Sequence, residues 1–334
     1  MEREIGNGSL ARRMLGSLRR WARQPHPRAP LPARSIGLAL GGGFARGLAH
    51  IGVLRVFEQY EIPVRYIGGV SAGAIIAAAY ASGSTPAEIG RVGAAMRFTD
   101  VARWSISRMG LAGSERMDRF LHGLLKGFRF EDMKIPLGIV ATDLTTGKPV
   151  FFLSHGDVNM PIRASCSYPG LFQPVHYQGR LLVDGGISME VPAPLLRQMG
   201  ATFVVAVHVP MQQAVAAGPS NMFEVVNRCF QIMQSRTEQE WRRYSDLVIV
   251  PDVSGAEWDA FGSAEKLIQA GETAALEAVP RIKAWLAGPS PTKAPAAGSP
   301  VRSGSSAAKA LSRKLVAPAA AGSPARTRPP VLPD

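Results

Sequence analysis

The 334-residue sequence predicts an α/β fold in which helices cover both faces of a largely parallel sheet. Three observations carry that expectation. Short continuous apolar runs, such as Ser35–Leu40, Phe203–Val209 and Leu247–Val250, have the character of strands buried on both faces. Segments of helical periodicity alternate with them. Two of the strand-to-helix junctions are glycine-rich, where the backbone must turn sharply.

The elements follow in order. Ser9–Gln24 has Leu10, Met14, Leu18 and Trp21 on one helical face, with Arg12, Arg13, Arg19, Arg20 and Arg23 around the others. A basic amphipathic helix of this kind can lie in an anionic membrane interface, pack on a domain or remain a basic arm. Pro25–Pro32 holds four prolines and reads as a stiff linker, which gives an arm over residues 1–34. The strand at Ser35–Leu40 runs into Gly41-Gly42-Gly43-Phe44-Ala45-Arg46-Gly47, and a helix with Leu48, Ile51, Leu54 and Phe57 at three-residue intervals follows. A strand, a glycine loop and a helix start expose backbone N–H groups to an anion, either a dinucleotide phosphate or an oxyanion. A dinucleotide site would need an acidic residue at the end of the next strand. That strand ends instead in Gly69-Val70-Ser71-Ala72-Gly73, with a small-residue helix over Ala72–Ser82 directly after it. The spacing predicts a turn that lifts the Ser71 oxygen to the end of the strand, beside the positive end of a helix dipole. An oxyanion hole about 30 residues ahead of a serine elbow, on a neighbouring strand, makes a coherent pair.

Thr85-Pro86-Ala87-Glu88 is a capping box that opens a helix to about Met96, and a further helix is expected over Arg116–Lys126. The 84–135 region therefore reads as mostly helical, either covering the mouth of a site or packing on the sheet. Leu137–Thr142 and Val150–Phe152 read as strands about the turn at Thr145-Thr146-Gly147-Lys148, and Asp157–Ala164 as helix. After the small and aromatic block Ala164-Ser165-Cys166-Ser167-Tyr168-Pro169, a short strand over Leu181–Val183 ends in Asp184-Gly185-Gly186. Such a sequence is a tight turn in isolation and a candidate general base beside a serine elbow. Helices over Asn221–Glu240 and Gly271–Leu286 close the domain, set at residues 35–286. Of the 48 residues from 287 to 334, 32 are Ala, Gly, Pro or Ser and none is aromatic, which predicts a disordered basic tail.

Charge and cysteine content exclude several classes. The formal net charge of +13 divides into +6 over residues 1–35, +6 over 287–334 and +1 between them, so a nucleic-acid-binding core is not expected. Cys166 and Cys229 form no disulfide framework and stand in no metal-ligand spacing, which predicts buried or semi-buried thiols in a reducing compartment. Neither a membrane span nor a signal peptide is visible, so a cytoplasmic location is expected, peripheral on the inner membrane face if residues 9–24 bind lipid.

In motif order and spacing the chain resembles the bacterial branch of the patatin-like phospholipase family over roughly residues 36–286. The matching pieces are Gly41–Gly47, the elbow Gly69–Gly73, the Ala164–Pro169 block and Asp184-Gly185-Gly186. The resemblance implies a three-layer α/β/α sheet and a lipid acyl hydrolase with a Ser–Asp dyad. Ser71 would be the nucleophile and Asp184 the base, with an oxyanion hole at Gly42, Gly43 and Phe44 and Arg46 stabilising that loop. Gly41, Gly47, Gly69, Gly73, Gly185 and Gly186 support the motifs. No cofactor or metal is implied, the substrate would be a lipid or other ester, and no oligomeric state follows. Phe44 stands where many relatives carry a small residue, Glu190 where asparagine is common, and His208 where an aspartate is usual. His50, His122, His155, His176 and His208 share no pattern and are expected to be structural or exposed. Two other outcomes remain: a non-hydrolytic lipid-binding protein of the same fold, and an ordinary α/β-hydrolase that uses one of the histidines.

Overall fold

The computed structural model describes residues 34–288 apart from 108, 211–217, 220 and 258. The basic helix expected over residues 9–24 and the tail beyond Gly288 lie outside the described residues. In chain order the elements are β1 (Ile36–Leu40), α1 (Ala49–Gln59), β2 (Val64–Gly69), α2 (Ala72–Ser82), α3 (Pro86–Ala95) and α4 (Phe98–Val101). They continue with β3 (Arg103–Ser107), β4 (Gly110–Gly113), α5 (Glu115–Leu124), β5 (Leu137–Asp143), β6 (Pro149–Leu153) and α6 (Asn159–Ser165). β7 (Val175–Tyr177), β8 (Arg180–Asp184), α7 (Ala193–Met199), β9 (Phe203–Val207), α8 (Met222–Arg242), β10 (Leu247–Ile249) and α9 (Ala264–Ala287) complete the domain.

Eight strands form one sheet in the order β10-β9-β1-β2-β5-β8-β7, with β6 also paired to β5. The run from β10 to β5 is parallel, while β6, β8 and β7 join antiparallel. Every residue of β1, β5 and β9 is buried, as the apolar runs require of strands covered on both faces. Alternation along β1 divides the core. Ile36, Leu38 and Leu40 join the large cluster with α1, α2 and α9, whereas Ala39 packs with Leu196 of α7 and Trp241 of α8. These are the outer helical layers of an α/β/α sandwich.

α1 and α9 cross with their backbones in contact. A Cβ at Gly52 would collide with the Ile268 carbonyl, and one at Gly271 with the Ala49 carbonyl. Gly271 therefore sits inside α9, where the helix pattern placed its start, because only glycine lets the two backbones approach so closely. The 84–135 region also differs from expectation. Thr85 and Glu88 form the capping box of α3, but a two-stranded antiparallel hairpin, β3–β4, interrupts the helices. Cys166 is buried and Cys229 is exposed, so only one of the two thiols is enclosed. Among the described residues no helix is long and apolar enough to cross a membrane.

Candidate active site

The sheet brings the two glycine-rich junctions to one edge. Leu40, the last residue of β1, is in register with Gly69, the last of β2, so the Gly41–Phe44 loop and the Val70–Ala72 turn emerge side by side. The Val70 N–H donates to the Leu40 carbonyl (3.1 Å) and the Gly41 N–H to the Val207 carbonyl (3.1 Å).

Ser71 occupies the turn with φ 54° and ψ −125°, a conformation that disfavours any residue with a side chain. The neighbouring helix and strand impose it. A Cβ at Gly69 would collide with the backbone of Gly73 and Ala74, and one at Gly73 with the carbonyls of Leu40 and Gly41. Both elbow glycines are therefore sites of backbone-on-backbone contact. The Ser71 N–H donates to the buried Ser165 hydroxyl (2.8 Å), which ties the elbow to the end of α6.

Asp184 reaches Ser71 through β5. One edge of β5 is taken wholly by β6, from Gly138 to Thr142. On its other edge β2 pairs first, with Gly69 opposite Ile139, and β8 pairs next, with Asp184 opposite Ala141. β8 thus continues where β2 stops, and its last residue arrives beside the elbow. Asp184 Oδ1 accepts the Gly186 N–H (2.8 Å), and the Asp184 carbonyl accepts the Thr142 hydroxyl (2.9 Å). Its second oxygen, Oδ2, is buried and lacks a well-formed hydrogen bond. Burial pushes the Asp184 carboxyl up to about 7, opposed by the Gly186 N–H and by the Ser71 side chain. Gly185 is held against the Val140 carbonyl, where a Cβ would not fit.

Gly42, Gly43, Phe44, Ser71, Asp184 and Gly186 line one small cavity of about 20 Å³ together with Tyr168, Glu190, Val209, Phe230 and Gln234. Gly42 lies against Ser71, since a Cβ there would stand 3.6 Å from that of the serine. Phe44, at φ 51°, and Tyr168 make an edge-to-face pair (4.8 Å), and Tyr168 also packs on Phe230 (4.7 Å), forming an aromatic wall. Arg46 does not line this cavity. It is buried behind the loop, where burial lowers its pKa while Glu257 and Tyr168 oppose the shift. Gly47 packs against α2, a Cβ there meeting that of Ala72.

Among the described residues no histidine lines the cavity with Ser71. His50 is fully buried with Nε2 2.9 Å from the Gly41 carbonyl, and burial pushes its pKa down to about 4. A neutral imidazole facing a carbonyl must carry its proton on Nε2, so His50 donates and fixes the start of the glycine loop. His122 stacks on Phe128, while His155 and His176 are exposed. His208 Nε2 lies 2.9 Å from Glu190 Oε1, both groups buried, and Trp241 packs edge-on against the imidazole. Glu190 and His208, each singled out in the sequence, are thus partners in one interaction.

Besides Tyr168 and Val209 of the cavity lining, sequence reasoning missed Ser165, Cys166, Phe230 and Gln234. Ser165 and Cys166 lie in the small-residue block, but nothing in their local pattern marks them as neighbours of Ser71. Burial and the Asp184 charge push the Cys166 thiol up, against a contact with the Ser71 side chain. Phe230 and Gln234 lie on α8, where their four-residue spacing reads as an ordinary helix face. Among the described residues no group of His, Cys, Asp or Glu could hold a metal ion.

A patatin-like phospholipase family model matches residues 38–197. An NTE family protein of Mycobacterium tuberculosis is 33% identical over 195 residues, covering 57% of this chain and 30% of that protein. Lysophospholipase nte1 of Aspergillus fumigatus is 35% identical over 191 residues, covering 54% of this chain and 12% of that one. Among solved structures, VipD from Legionella pneumophila aligns with a TM-score of 0.48 at 12% identity, over 74% of this chain and 67% of that one. Over residues 38–197, just under half of its length, the chain is therefore similar to the patatin-like phospholipase family. It spans well under half the length of the curated relatives it matches here.

Proposed function

We propose that the protein is a lipid acyl hydrolase in which Ser71 attacks the ester carbonyl and Asp184 accepts the serine proton. The observation that carries this reading is the meeting of a strained serine elbow and a buried, protonation-poised carboxyl in one cavity floored by the glycine loop. Serine becomes an effective nucleophile only when a base takes its proton. The attack forms the Ser71 Oγ–acyl bond and places negative charge on the carbonyl oxygen, and N–H donors of the Gly42–Phe44 loop would stabilise that charge. Loss of one such donor costs about 3 kcal/mol in the transition state. Asp184 then returns the proton to the departing alkoxide. In the second half-reaction it takes a proton from the water that releases the acid.

The expected result with a fluorophosphonate probe is covalent labelling of Ser71, absent in Ser71→Ala. An unlabelled wild type that still bound lipid would replace this reading with that of a non-hydrolytic lipid-binding protein. A substrate-dependent signal lost on substituting a histidine, but kept in Asp184→Asn, would favour a histidine-based hydrolase.

The carboxyl also predicts a pH profile. Asp184 works as a base only when ionised, and its pKa is raised to about 7. Among the shifted groups at the site, burial holds the Cys166 thiol and Tyr168 hydroxyl up and the His50 imidazole down, so Asp184 is the one that crosses neutral pH. The kcat/KM for a soluble ester should therefore rise about tenfold per unit below an inflection near 7 and level off above it. An inflection near 4 would show that the carboxyl is not desolvated and would weaken its assignment as base.

A further inference from the structure

Among the described residues nine large hydrophobic side chains are exposed, and five of them flank one segment, Tyr168–Gln173. The hairpin β3–β4 supplies three: Trp104 (62% exposed), Met109 (53%) and Leu111. Its Leu111 and Ala112 N–H groups both donate to the Leu171 carbonyl (3.1 and 2.9 Å), and the Gln173 N–H donates to the Ala112 carbonyl (3.0 Å). Phe98 adds a second brace, packed on both Trp104 (5.6 Å) and Phe172 (5.8 Å). Tyr168, at the head of the same segment, walls the catalytic cavity, so the hairpin is mounted on that wall. Met222 (73% exposed) and Val225 approach from α8, where the Tyr168 hydroxyl donates to Asn227 Oδ1 (3.0 Å). Leu144 is a sixth exposed residue at this end. β5 is level with Gly69 at Ile139 and runs on to Asp143, so Leu144 stands about 16 Å beyond the elbow.

Exposed apolar groups gathered in this way mark a surface that is covered in use. These stand on three separate pieces of chain, the hairpin, the turn after β5 and the first turns of α8. A folded partner would have to match each of them in shape, whereas a fluid interface asks only that they reach a similar depth. Charge points the same way. The described charged residues exposed on segments 97–116, 144–148, 176–180 and 221–225 are Arg97, Arg103, Arg116, Lys148 and Arg180, against Asp100, Glu115 and Glu224. Asp100 already accepts the Arg97 N–H (2.7 Å). Arginine keeps its guanidinium at lipid phosphates while its stem lies along apolar neighbours, and tryptophan suits a boundary that is apolar on one side and wet on the other.

We propose that this end of the domain docks on an anionic lipid bilayer. Trp104 and Met109 enter the boundary between acyl chains and headgroups beside Met222 and Val225, and the arginines stay at the phosphates. The contact belongs to the domain itself and is separate from the basic segment at residues 9–24. Its consequence, that the ester reaches the catalytic cavity from the bilayer, rests on the acyl-hydrolase reading above, but the docking needs no turnover.

The test measures co-sedimentation of Ser71→Ala, which leaves the lipid intact, with vesicles of phosphatidylcholine and phosphatidylglycerol. Adding Trp104→Ser and Met109→Ser should weaken binding about tenfold or more, while Leu276→Ser, at an exposed leucine of the outer helix α9, should leave it unchanged. Unchanged binding in the double-serine variant would overturn the proposal. So would an equal loss in Leu276→Ser, which would reduce the effect to general surface hydrophobicity. A gel-filtration mass that falls from dimer to monomer with the two serines would give the face to a second copy of the chain, and would overturn it as well. With Ser71 in place, the two serines should lower turnover of vesicle lipid about tenfold and leave kcat/KM for p-nitrophenyl butyrate unchanged. Loss on both substrates would make the hairpin a support of the cavity and not a docking element. If wild type hydrolyses no ester while hairpin-dependent binding persists, the hydrolase reading fails and the docking face stands. If soluble esters are hydrolysed and vesicle binding ignores the hairpin, the docking face fails alone.

Discussion

Asp184→Asn is expected to abolish ester turnover, by about 10³-fold or more, while making the folded protein more stable at alkaline pH. The two halves have one cause. The carboxyl is buried at the end of β8, with one oxygen satisfied by the Gly186 N–H and the other lacking a well-formed partner. Its pKa rises from the model-peptide value of 3.8 to about 7, chiefly through desolvation. A carboxyl whose folded-state pKa is raised binds its proton more tightly in the fold than in the unfolded chain. The stability associated with that proton is fully present below the unfolded value and is lost as pH rises through about 7. Ionising the group in place therefore costs on the order of 4 kcal/mol by pH 8. Asparagine keeps the acceptor for Gly186 and carries no charge. In thermal melts the variant should gain about 5 °C or more over wild type at pH 8 and show little difference at pH 4. A variant less stable at both pH values would mean that the carboxylate is structural and its ionisation well solvated.

The parts of the site built from neighbouring residues could be read without coordinates, and the parts built from strand order could not. Gly69-Val70-Ser71-Ala72-Gly73 announces a turn because glycine and small residues punctuate the chain locally, and the backbone follows that expectation from Gly69 through Ser82. The meeting of Ser71 with Asp184, 113 positions later, depends on β2 and β8 taking successive places along one edge of β5. No local pattern encodes that arrangement, and the expected pairing rested on resemblance. The same limit explains Gln234, which reaches the cavity from α8, and the Glu190–His208 pair, which joins the segment after β8 to the end of β9. The β3–β4 hairpin escaped although Arg103-Trp104-Ser105-Ile106-Ser107 alternates polar and apolar residues, because that run is only five residues long and its partner Gly110-Leu111-Ala112-Gly113 carries no such pattern. Gly271 misled in the opposite sense. A glycine that reads as a helix boundary proved to be the contact point between α1 and α9.

Gly73→Ala should be among the most damaging single-atom additions in the protein. The residue lies in the first turn of α2, where alanine is otherwise the better helix former, so propensity alone predicts a gain of up to about 1 kcal/mol. Packing predicts the reverse. The added methyl would overlap the carbonyl oxygens of Leu40 and Gly41, both backbone atoms at the end of a fully buried strand. Neither can rotate away as a side chain could. Relief requires α2 to move off β1, which displaces Ser71 from the Gly42–Phe44 loop on one side and from Asp184 on the other. Overpacking of this kind costs about 3 kcal/mol, and a displacement of about 1 Å costs about 10² in rate. The variant should therefore melt about 6–12 °C below wild type and retain about 1% of its esterase activity at temperatures where it stays folded. Gly123→Ala is the matched control: nothing lies within 4 Å of its new methyl, so helix propensity should act unopposed and raise the melting temperature slightly. Equal behaviour of the two variants would show that α2 and β1 have slack at the elbow. The strain at Ser71 would then have to come from elsewhere than the contact of Gly73 with Leu40 and Gly41.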